Sequence, residues 1–170
     1  PLLDAAGKPA RLLVTGHALG PITCLATHPS RQQYATSSHD RVLMVWDAAS
    51  RRLLRASKPF DAPISALDYS SDGALLAVGL GSEPKPGETE AELNGTVMVL
   101  NALSLEPVCK DRRADGWIRA IRFSPDTMLL AAASNDRHIY LYEANPASFR
   151  KVYSYRCTCR GHAGPVTHLD

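Results

Sequence analysis

Short runs of β-branched, aliphatic and aromatic residues, separated by turn residues, recur along the whole chain. Residues 118–123 and 139–142 show the pattern most plainly. Turn residues such as Pro29-Ser30 and Ser71-Asp72-Gly73 end such runs. No stretch of a dozen residues carries a convincing 3.6-residue apolar period. The pattern therefore predicts an all-β chain, whose expected strands are 11–15, 22–28, 33–38, 42–47, 53–57, 64–69, 75–80, 96–101, 107–110, 118–123, 129–134, 139–143, 152–157 and 166–170.

These runs belong to a larger internal repeat. Three segments align with one another, and a fourth copy begins at Gly164. The anchor positions of the copies are 42, 54 and 48 residues apart, and they are Ile22, Ile64, Ile118 and Val166. A repeat of about 40–45 residues is typical of a four-stranded propeller blade. The repeat predicts three consecutive four-stranded antiparallel sheets packed face to face.

The repeat also predicts the organisation of the chain as a propeller fragment with partial blades at both ends. The expected units are the last strand of a preceding blade with a linker, three complete blades, and the start of the next blade. In order, they span 1–15, 16–61, 62–115, 116–160 and 161–170. Because blades bury their apolar faces against neighbouring blades, we expect further blades from the same, longer chain.

One insertion lengthens the middle repeat. Residues 81–95 hold four glutamates and one lysine, with two prolines and three glycines. This composition predicts an exposed acidic loop between the second and third strands of the middle blade.

The first copy carries the residues that suggest a family. Gly16-His17 stands 29 residues before Trp46-Asp47, and this spacing resembles the signature of WD repeats. In that family a histidine, a hydroxyl residue, an aspartate and a tryptophan form a hydrogen-bonded set. The resemblance implies that His17, Ser37 or Ser38, Asp40 and Trp46 form this set here, with the hydroxyl linking towards the indole.

Later copies depart from the signature. The third keeps Asp136 six residues before Tyr142, so that tyrosine replaces the tryptophan, and Trp117 stands near the expected histidine. The second copy has Leu100 at the tryptophan position. Gly161-His162 reopens the motif for the next blade. The pattern predicts a divergent WD-repeat propeller whose third blade lacks the complete set.

Three segments look like one WD-repeat family in particular. Residues 25–40, 124–143 and 151–170 are similar to the echinoderm microtubule-associated protein-like family. The resemblance implies a non-enzymatic scaffold that binds tubulin or axonemal proteins, located in the cytoplasm and cytoskeleton, with cilia and flagellar axonemes as further expected sites. The alternative is a generic WD-repeat scaffold in a trafficking or ubiquitin-ligase complex.

Other chemistry fits the sequence less well. A histidine with serine and aspartate suggests a hydrolase triad, but the trio lies inside the repeat and no G-x-S-x-G elbow occurs. Cys157-x-Cys159 with His162 falls short of the four ligands of a structural zinc site. We therefore expect no catalytic residue, metal or cofactor. The cysteines, Cys24, Cys109, Cys157 and Cys159, are expected to be reduced and buried.

The charged residues bear on the partner class. The formal net charge is only +2, and the basic residues are spread along the chain, which disfavours nucleic acid. The apolar runs are too short to span a membrane. Arg51-Arg52 and Arg112-Arg113 fall in predicted loops and are candidate contacts to an acidic protein. Protein partners are therefore expected.

Overall fold

Twelve β-strands form the regular structure of the chain in a computed structural model, which describes residues 16–17, 20–83, 95–145 and 152–170. No helix occurs within these ranges. The all-β prediction is confirmed. The strands are β1 (Ile22–Thr27), β2 (Gln33–Ser38), β3 (Leu43–Asp47), β4 (Leu53–Ala56), β5 (Ile64–Tyr69), β6 (Leu75–Leu80), β7 (Val97–Asn101), β8 (Pro107–Asp111), β9 (Ile118–Phe123), β10 (Leu129–Ser134), β11 (Ile139–Ala144) and β12 (Tyr153–Cys159).

The strands form three four-stranded antiparallel sheets, each built from consecutive strands in chain order. The first sheet contains β1–β4, the second β5–β8 and the third β9–β12. The prediction of a propeller fragment with three four-stranded blades is confirmed. In every blade a β-bulge follows the anchor residue of the first strand, which is Ile22, Ile64 or Ile118.

Neighbouring blades pack through the apolar faces of their sheets. Ile64 and Ile118 are completely buried, and they belong to the cores between the first and second blades and between the second and third. Gly79 is needed at the second of these contacts, because a Cβ there would lie 2.5 Å from Cγ2 of Ile118. Burying each such side chain stabilises the stack by about 1.5–3 kcal/mol.

The outer face of the first blade is exposed. Ile22 is 62% exposed and Leu25 is 59% exposed, whereas the equivalent Ile64 and Leu67 of the second blade are 0% and 3% exposed. The positions are equivalent in strand and register, so the difference comes from what covers them. The first blade therefore presents an apolar face of the kind that the other two blades bury.

The last residues cover the opposite face of the stack. Val166 is buried against Ala120 and Ala133 of the third blade. The predicted strand at 166–170 is wrong, because no described strand pairs with this segment. The predicted strand at 11–15 lies outside the described residues.

The turns lie at two opposite ends of the strands. At the end that we call the Arg51 end, the β1–β2 and β3–β4 turns meet, and the Ala48 N–H donates to the Gln32 carbonyl at 2.8 Å. At the other end, which we call the insertion end, the Phe60 N–H donates to the Arg41 carbonyl at 2.8 Å. The acidic insertion leaves β6 and enters β7 at this second end, since β6 ends there and β7 starts there. The predicted exposure of the loop itself stays untested, because 84–94 lie outside the described residues.

Candidate functional site

A hydrogen-bonded chain of side chains links the strands of the first blade. His17 Nδ1 lies 2.9 Å from Asp40 Oδ2, and His17 Nε2 lies 2.9 Å from Thr36 Oγ1. The Trp46 indole N–H donates to the same Thr36 oxygen at 2.8 Å. The side chains of His17 and Asp40 are only 3% and 7% exposed. The second oxygen of Asp40 accepts the Val42 N–H at 2.9 Å, so the buried carboxylate is well supplied with donors.

Thr36 supplies the linking hydroxyl, so the expectation that Ser37 or Ser38 does so is wrong. Side chains alternate between the two faces of a strand, and Thr36 shares a face with Tyr34, which is paired with Trp46. Ser37 points to the other face and bonds with the Thr23 hydroxyl at 2.9 Å. The Ser38 hydroxyl donates to the Gly20 carbonyl at 3.3 Å.

This geometry suits a structural tie. The Thr36 oxygen is occupied by the indole N–H and the histidine, and the set is enclosed by the blade. Tyr34 stacks near Trp46, with the two rings 14° apart in plane and 6.4 Å between centroids. Among the described residues, no group of three or more histidine, cysteine or acidic side chains is placed to hold a metal ion.

In the third blade, two tyrosines make separate hydrogen bonds in place of the connected set of the first blade. Tyr142 pairs with Leu130 in the register that Trp46 has with Tyr34, and so takes the tryptophan position. Its hydroxyl donates to Asp111 of the second blade at 3.0 Å and does not reach Asp136. Ala132 stands at the Thr36 position, so no hydroxyl can relay between the two.

Asp136 instead bonds with a residue that the sequence did not suggest. The Tyr140 hydroxyl donates to it at 2.7 Å, and the Asp115 N–H donates at 2.9 Å. Burial alone would raise the pKa of Asp136, but these hydrogen bonds hold it below its usual value. The pairing of Asp136 with Tyr142 as one set is therefore wrong. The backbone of Asp115 supplies the donor that His17 supplies in the first blade.

The second and fourth copies contribute little to such a set. Leu100 is buried at the tryptophan position of the second blade, where it has no polar atom to offer. His162, expected to open the next blade, is exposed.

The two arginine pairs lie at opposite ends of the strands. Arg51 and Arg52 occupy the β3–β4 turn at the Arg51 end, and Arg112 and Arg113 follow β8 at the insertion end. All four are exposed. Arg113 is engaged within the chain, because its Nε lies 3.3 Å from Asp111 and its guanidinium lies 4.0 Å from the centre of the Tyr155 ring. A single flat partner surface therefore cannot use both pairs.

The cysteines only partly follow expectation. All four are free thiols, but Cys157 and Cys159 are exposed, and Cys24 and Cys109 are half-buried. The prediction that the thiols are buried is wrong for the first two, because they lie on the outermost strand of a blade, β12, which solvent reaches. Within the described residues no helix is long and apolar enough to cross a membrane.

His28 is a buried titratable residue that the sequence did not single out. Its Nδ1 accepts the N–H groups of Ser30 and Arg31 at 3.2 and 3.1 Å, and its ring packs near Tyr69 of the second blade. Burial, followed by the positive charge of Arg31, lowers the pKa of His28 below its ordinary value of 6.5. The neutral ring is thus part of the folded turn.

We expect the full-length protein to lose stability as the pH falls below about 6.5, because the unfolded chain binds a proton on His28 more readily than the folded chain. The stabilising contribution of the neutral His28 ring is complete above about pH 6.5, and it is lost as the pH falls towards the lowered pKa that His28 has in the folded protein. His28→Asn keeps a side-chain acceptor and removes the titration. Melting temperatures between pH 7.5 and 5.5 should fall less steeply in this variant, and equal slopes would contradict the assignment.

Known proteins resemble this chain in both sequence and fold. A family model described as the echinoderm microtubule-associated protein second beta-propeller matches residues 22–170. Human echinoderm microtubule-associated protein-like 3 is 32% identical over 146 residues, which cover 86% of this chain and 15% of that protein. Human echinoderm microtubule-associated protein-like 2 is 31% identical over 159 residues, which cover 94% of this chain and 22% of that protein. The chain thus spans less than a quarter of the length of these relatives.

The solved structures agree on the fold. The structure titled "Structure of U3-55K" superposes with a TM-score of 0.71 at 22% identity, covering 88% of this chain and 42% of that one. The crystal structure of the RRP9 WD40 repeats gives the same TM-score. At this identity the likeness shows the WD-repeat propeller and nothing finer. Together with the family match over 22–170, it shows that the chain belongs to the echinoderm microtubule-associated protein-like family of WD-repeat proteins.

Proposed function

We propose that this chain is part of a non-enzymatic scaffold that binds microtubules through the Arg51 end of its blades. Family membership supports the partner class. The observation that selects the surface is that β6 ends and β7 begins, on either side of the acidic insertion, at the end of the strands opposite Arg51-Arg52. The surface of tubulin is acidic, so the end that lacks the insertion is the better match.

The Arg51 end of the first blade is basic and accessible. Arg31, Arg51 and Arg52 are all exposed there, and none of the ion pairs among the described residues involves them. The equivalent turn of the second blade holds Leu105-Glu106 in place of Arg51-Arg52. The basic character is therefore a property of this one turn rather than of the fold.

The turn is also held in shape. The Asp47 carboxylate accepts the N–H and the hydroxyl of Ser50 at 2.7 and 2.6 Å, and hydrogen bonds from Ser50 lower the pKa of Asp47. Arg51 follows with a φ of 58°, and its N–H donates to the Asp47 carbonyl at 2.9 Å. A fixed backbone presents the two guanidinium groups in a defined direction, which favours a specific contact.

Reversing the charge of this turn should weaken microtubule binding. In co-sedimentation of the full-length protein with polymerised tubulin, we expect Arg51→Glu with Arg52→Glu to raise the Kd at least tenfold, roughly 1.4 kcal/mol. The matched control is Lys58→Glu with Arg112→Glu, two exposed residues at the insertion end, which should change the Kd less than twofold. Binding of the native protein should weaken with added salt, because exposed charges are screened over about 8 Å at physiological ionic strength.

Two results would contradict the proposal. Equal losses in the two double variants would mean that the Arg51 end is not the contact. Absence of co-sedimentation by the native protein, with no cytoskeletal or ciliary localisation in ciliated cells, would favour the alternative of a generic scaffold in a trafficking or ubiquitin-ligase complex.

We further propose that another blade of the same, longer chain covers the exposed face of Ile22 and Leu25. The equivalent faces of the second and third blades are covered by a neighbouring sheet and are buried. Units 16–61, 62–115 and 116–160 are then three successive blades of one propeller.

A further inference from the structure

A cavity of about 200 Å³ lies between the outer strands of the second and third blades. Its apolar wall consists of Val97, Val99 and Leu130, and its other lining residues are Cys109, Lys110, Asp111, Arg113, Tyr142, Tyr153, Ser154 and Tyr155. The exposed members of this set lie on β8 or β12 or directly after β8, so the cavity opens at the outer rim of the stack. A cavity of about 150 Å³ is enough to hold a benzene molecule, so this one has room for a small organic group.

The residues beside the cavity differ from those one blade earlier. We call the contact between the first and second blades the first seam, and that between the second and third blades the second seam. In the first seam Arg55 pairs with Val45, and its Nε is buried. In the second seam Cys109 pairs with Val99 in the same register. Burial raises the pKa of Cys109, so this thiol is neutral at physiological pH, and a positive charge of the first seam has no counterpart at this position of the second.

The second seam also carries aromatic rings where the first has apolar residues. Tyr142 takes the position that Leu100 has one blade earlier. Tyr155, its partner on β12, takes the position of Pro107. Asp111 adds a carboxylate at the end of β8. The second seam therefore combines aromatic rings, an acidic group and empty volume.

Two of these rings form a corner beside the carboxylate. The centroids of Tyr142 and Tyr155 lie 6.2 Å apart, and the ring planes are inclined at 75°. The Tyr142 hydroxyl donates to Asp111 Oδ2 at 3.0 Å, which places the carboxylate next to the rings. The face of an aromatic ring attracts a cation, and cages of such rings recognise quaternary ammonium groups. The corner thus has the chemistry of a site for an organic cation.

A cation of the chain itself already lies at this corner. The guanidinium carbon of Arg113 lies 4.0 Å from the centre of the Tyr155 ring, and Arg113 Nε lies 3.3 Å from Asp111. Arg113 is exposed, and an exposed ion pair contributes little to stability. A small cation can therefore displace this guanidinium at little cost to the fold.

The surrounding charge favours a cation over an anion. Lys110, the other basic residue that lines the cavity, has its Nζ 2.8 Å from Asp61, which neutralises it. Val97 begins β7 shortly after the insertion at 81–95, whose sequence holds four glutamates and one lysine. Negative charge joined to the wall of a cleft raises the local concentration of cations.

We propose that this cavity binds a small organic cation with a trimethylammonium group. The bound group takes the place of the Arg113 guanidinium over the Tyr155 ring, beside Asp111. The apolar wall of the cavity accepts its methyl groups. The site lies within one seam of the propeller and uses neither Arg51 nor Arg52, so it goes beyond the proposed microtubule contact.

Choline is the probe, and 3,3-dimethyl-1-butanol, which carries a tert-butyl group in place of the trimethylammonium group, is its uncharged control. Ligand-observed NMR titration of the full-length protein measures the Kd. We expect the alcohol to bind about tenfold more weakly than choline, because it lacks the charge that the ring faces attract.

Removal of the resident cation should strengthen choline binding. Arg113→Ala is expected to lower the choline Kd about fivefold, because it removes the competitor from the Tyr155 ring and leaves Asp111 unpaired. Arg112→Ala is the matched control, since it removes the same charge from the adjacent exposed residue, which does not line the cavity. It should change the Kd less than about twofold, because exposed charges are screened by solvent and salt. A gain in affinity cannot result from misfolding.

Substitutions of the ring separate its face from its hydroxyl. Tyr155→Leu should raise the choline Kd about tenfold, whereas Tyr155→Phe keeps the ring and should change it less than about twofold. Tyr155 is exposed, so both variants should fold, and melting temperatures check this. A trimethylammonium group occurs both on free solutes and on methylated lysine side chains. Comparing choline with N-acetyl-trimethyllysine methylamide shows which of the two sources the cavity prefers.

Three results would overturn the proposal: equal binding of the alcohol and choline, weaker choline binding by Arg113→Ala, or equal effects of Arg113→Ala and Arg112→Ala. Microtubule co-sedimentation should be unaffected by Arg113→Ala and by the Tyr155 variants. Failure of this proposal is therefore distinguishable from failure of the proposed function.

Discussion

Thr36→Val should lower the free energy of unfolding of the propeller by about 2–3 kcal/mol, because it removes the hydroxyl shared by two buried partners. The substitution keeps the shape of the side chain and its β-branch. Without the Thr36 hydroxyl, the Trp46 indole N–H loses its acceptor inside the blade. His17 Nε2 loses its hydrogen-bond partner there as well. His17 would then be held only through its Nδ1 contact to Asp40. Denaturant titration and melting of the full-length protein measure the effect.

Two control variants locate the effect at Thr36. Thr36→Ser keeps the hydroxyl and should cost about 1 kcal/mol or less, through the lost methyl group. Ser37→Ala removes the neighbouring hydroxyl, which bonds with the Thr23 hydroxyl on the other face of the strand, and should cost about 1 kcal/mol. If Ser37→Ala proves as damaging as Thr36→Val, the hydroxyl assignment made from the structure is wrong.

Ile22→Asp should prevent folding of the full-length protein as effectively as Ile64→Asp. Ile64 is completely buried. An unpaired carboxylate at such a site lowers the free energy of unfolding by more than most single substitutions do. Ile22 is 62% exposed within this chain, so the equal effect depends on another blade covering it. Soluble expression and resistance to limited proteolysis are the measurements.

The matched control is the same substitution at an apolar residue that is about equally exposed and lies in a turn. Leu103, in the turn after β7, is 58% exposed, and Leu103→Asp should change stability by less than about 0.5 kcal/mol. If Ile22→Asp behaves like Leu103→Asp in the full-length protein, the outer face of the first blade is open to solvent, and the proposed covering blade is absent.

The periodicity of the sequence determined the strands and the blades. An alternating strand pattern needs only local information, since successive side chains point to opposite faces, and the turn residues mark where each run ends. For that reason most predicted strands agree with the observed ones to within two residues. The exception at 166–170 has the same apolar pattern, but a strand also requires a hydrogen-bonded neighbour.

The choice among adjacent hydroxyl residues depended on the tertiary structure. Thr36, Ser37 and Ser38 are equivalent in composition, and only the pairing of β2 with β3 shows which of them shares a face with Trp46. Likewise, the offset of six residues between Asp136 and Tyr142 matched the signature, but Tyr140 is the residue that reaches the carboxylate. Offsets along a chain do not define distances when a side chain can reach across a turn.

The sequence alone determined the fold class, the repeat, the family and the candidate residues, because each of these follows from residue types and their spacing along the chain. The tertiary structure alone decided which of these residues touch. It separated the two arginine pairs to opposite ends of the strands, committed Arg113 to Asp111 and Tyr155, and brought Arg119 over Trp117. The physical reason is that hydrogen bonds and charge contacts act over a few ångströms, and such distances are set by strand register and by the bulges that redirect single side chains.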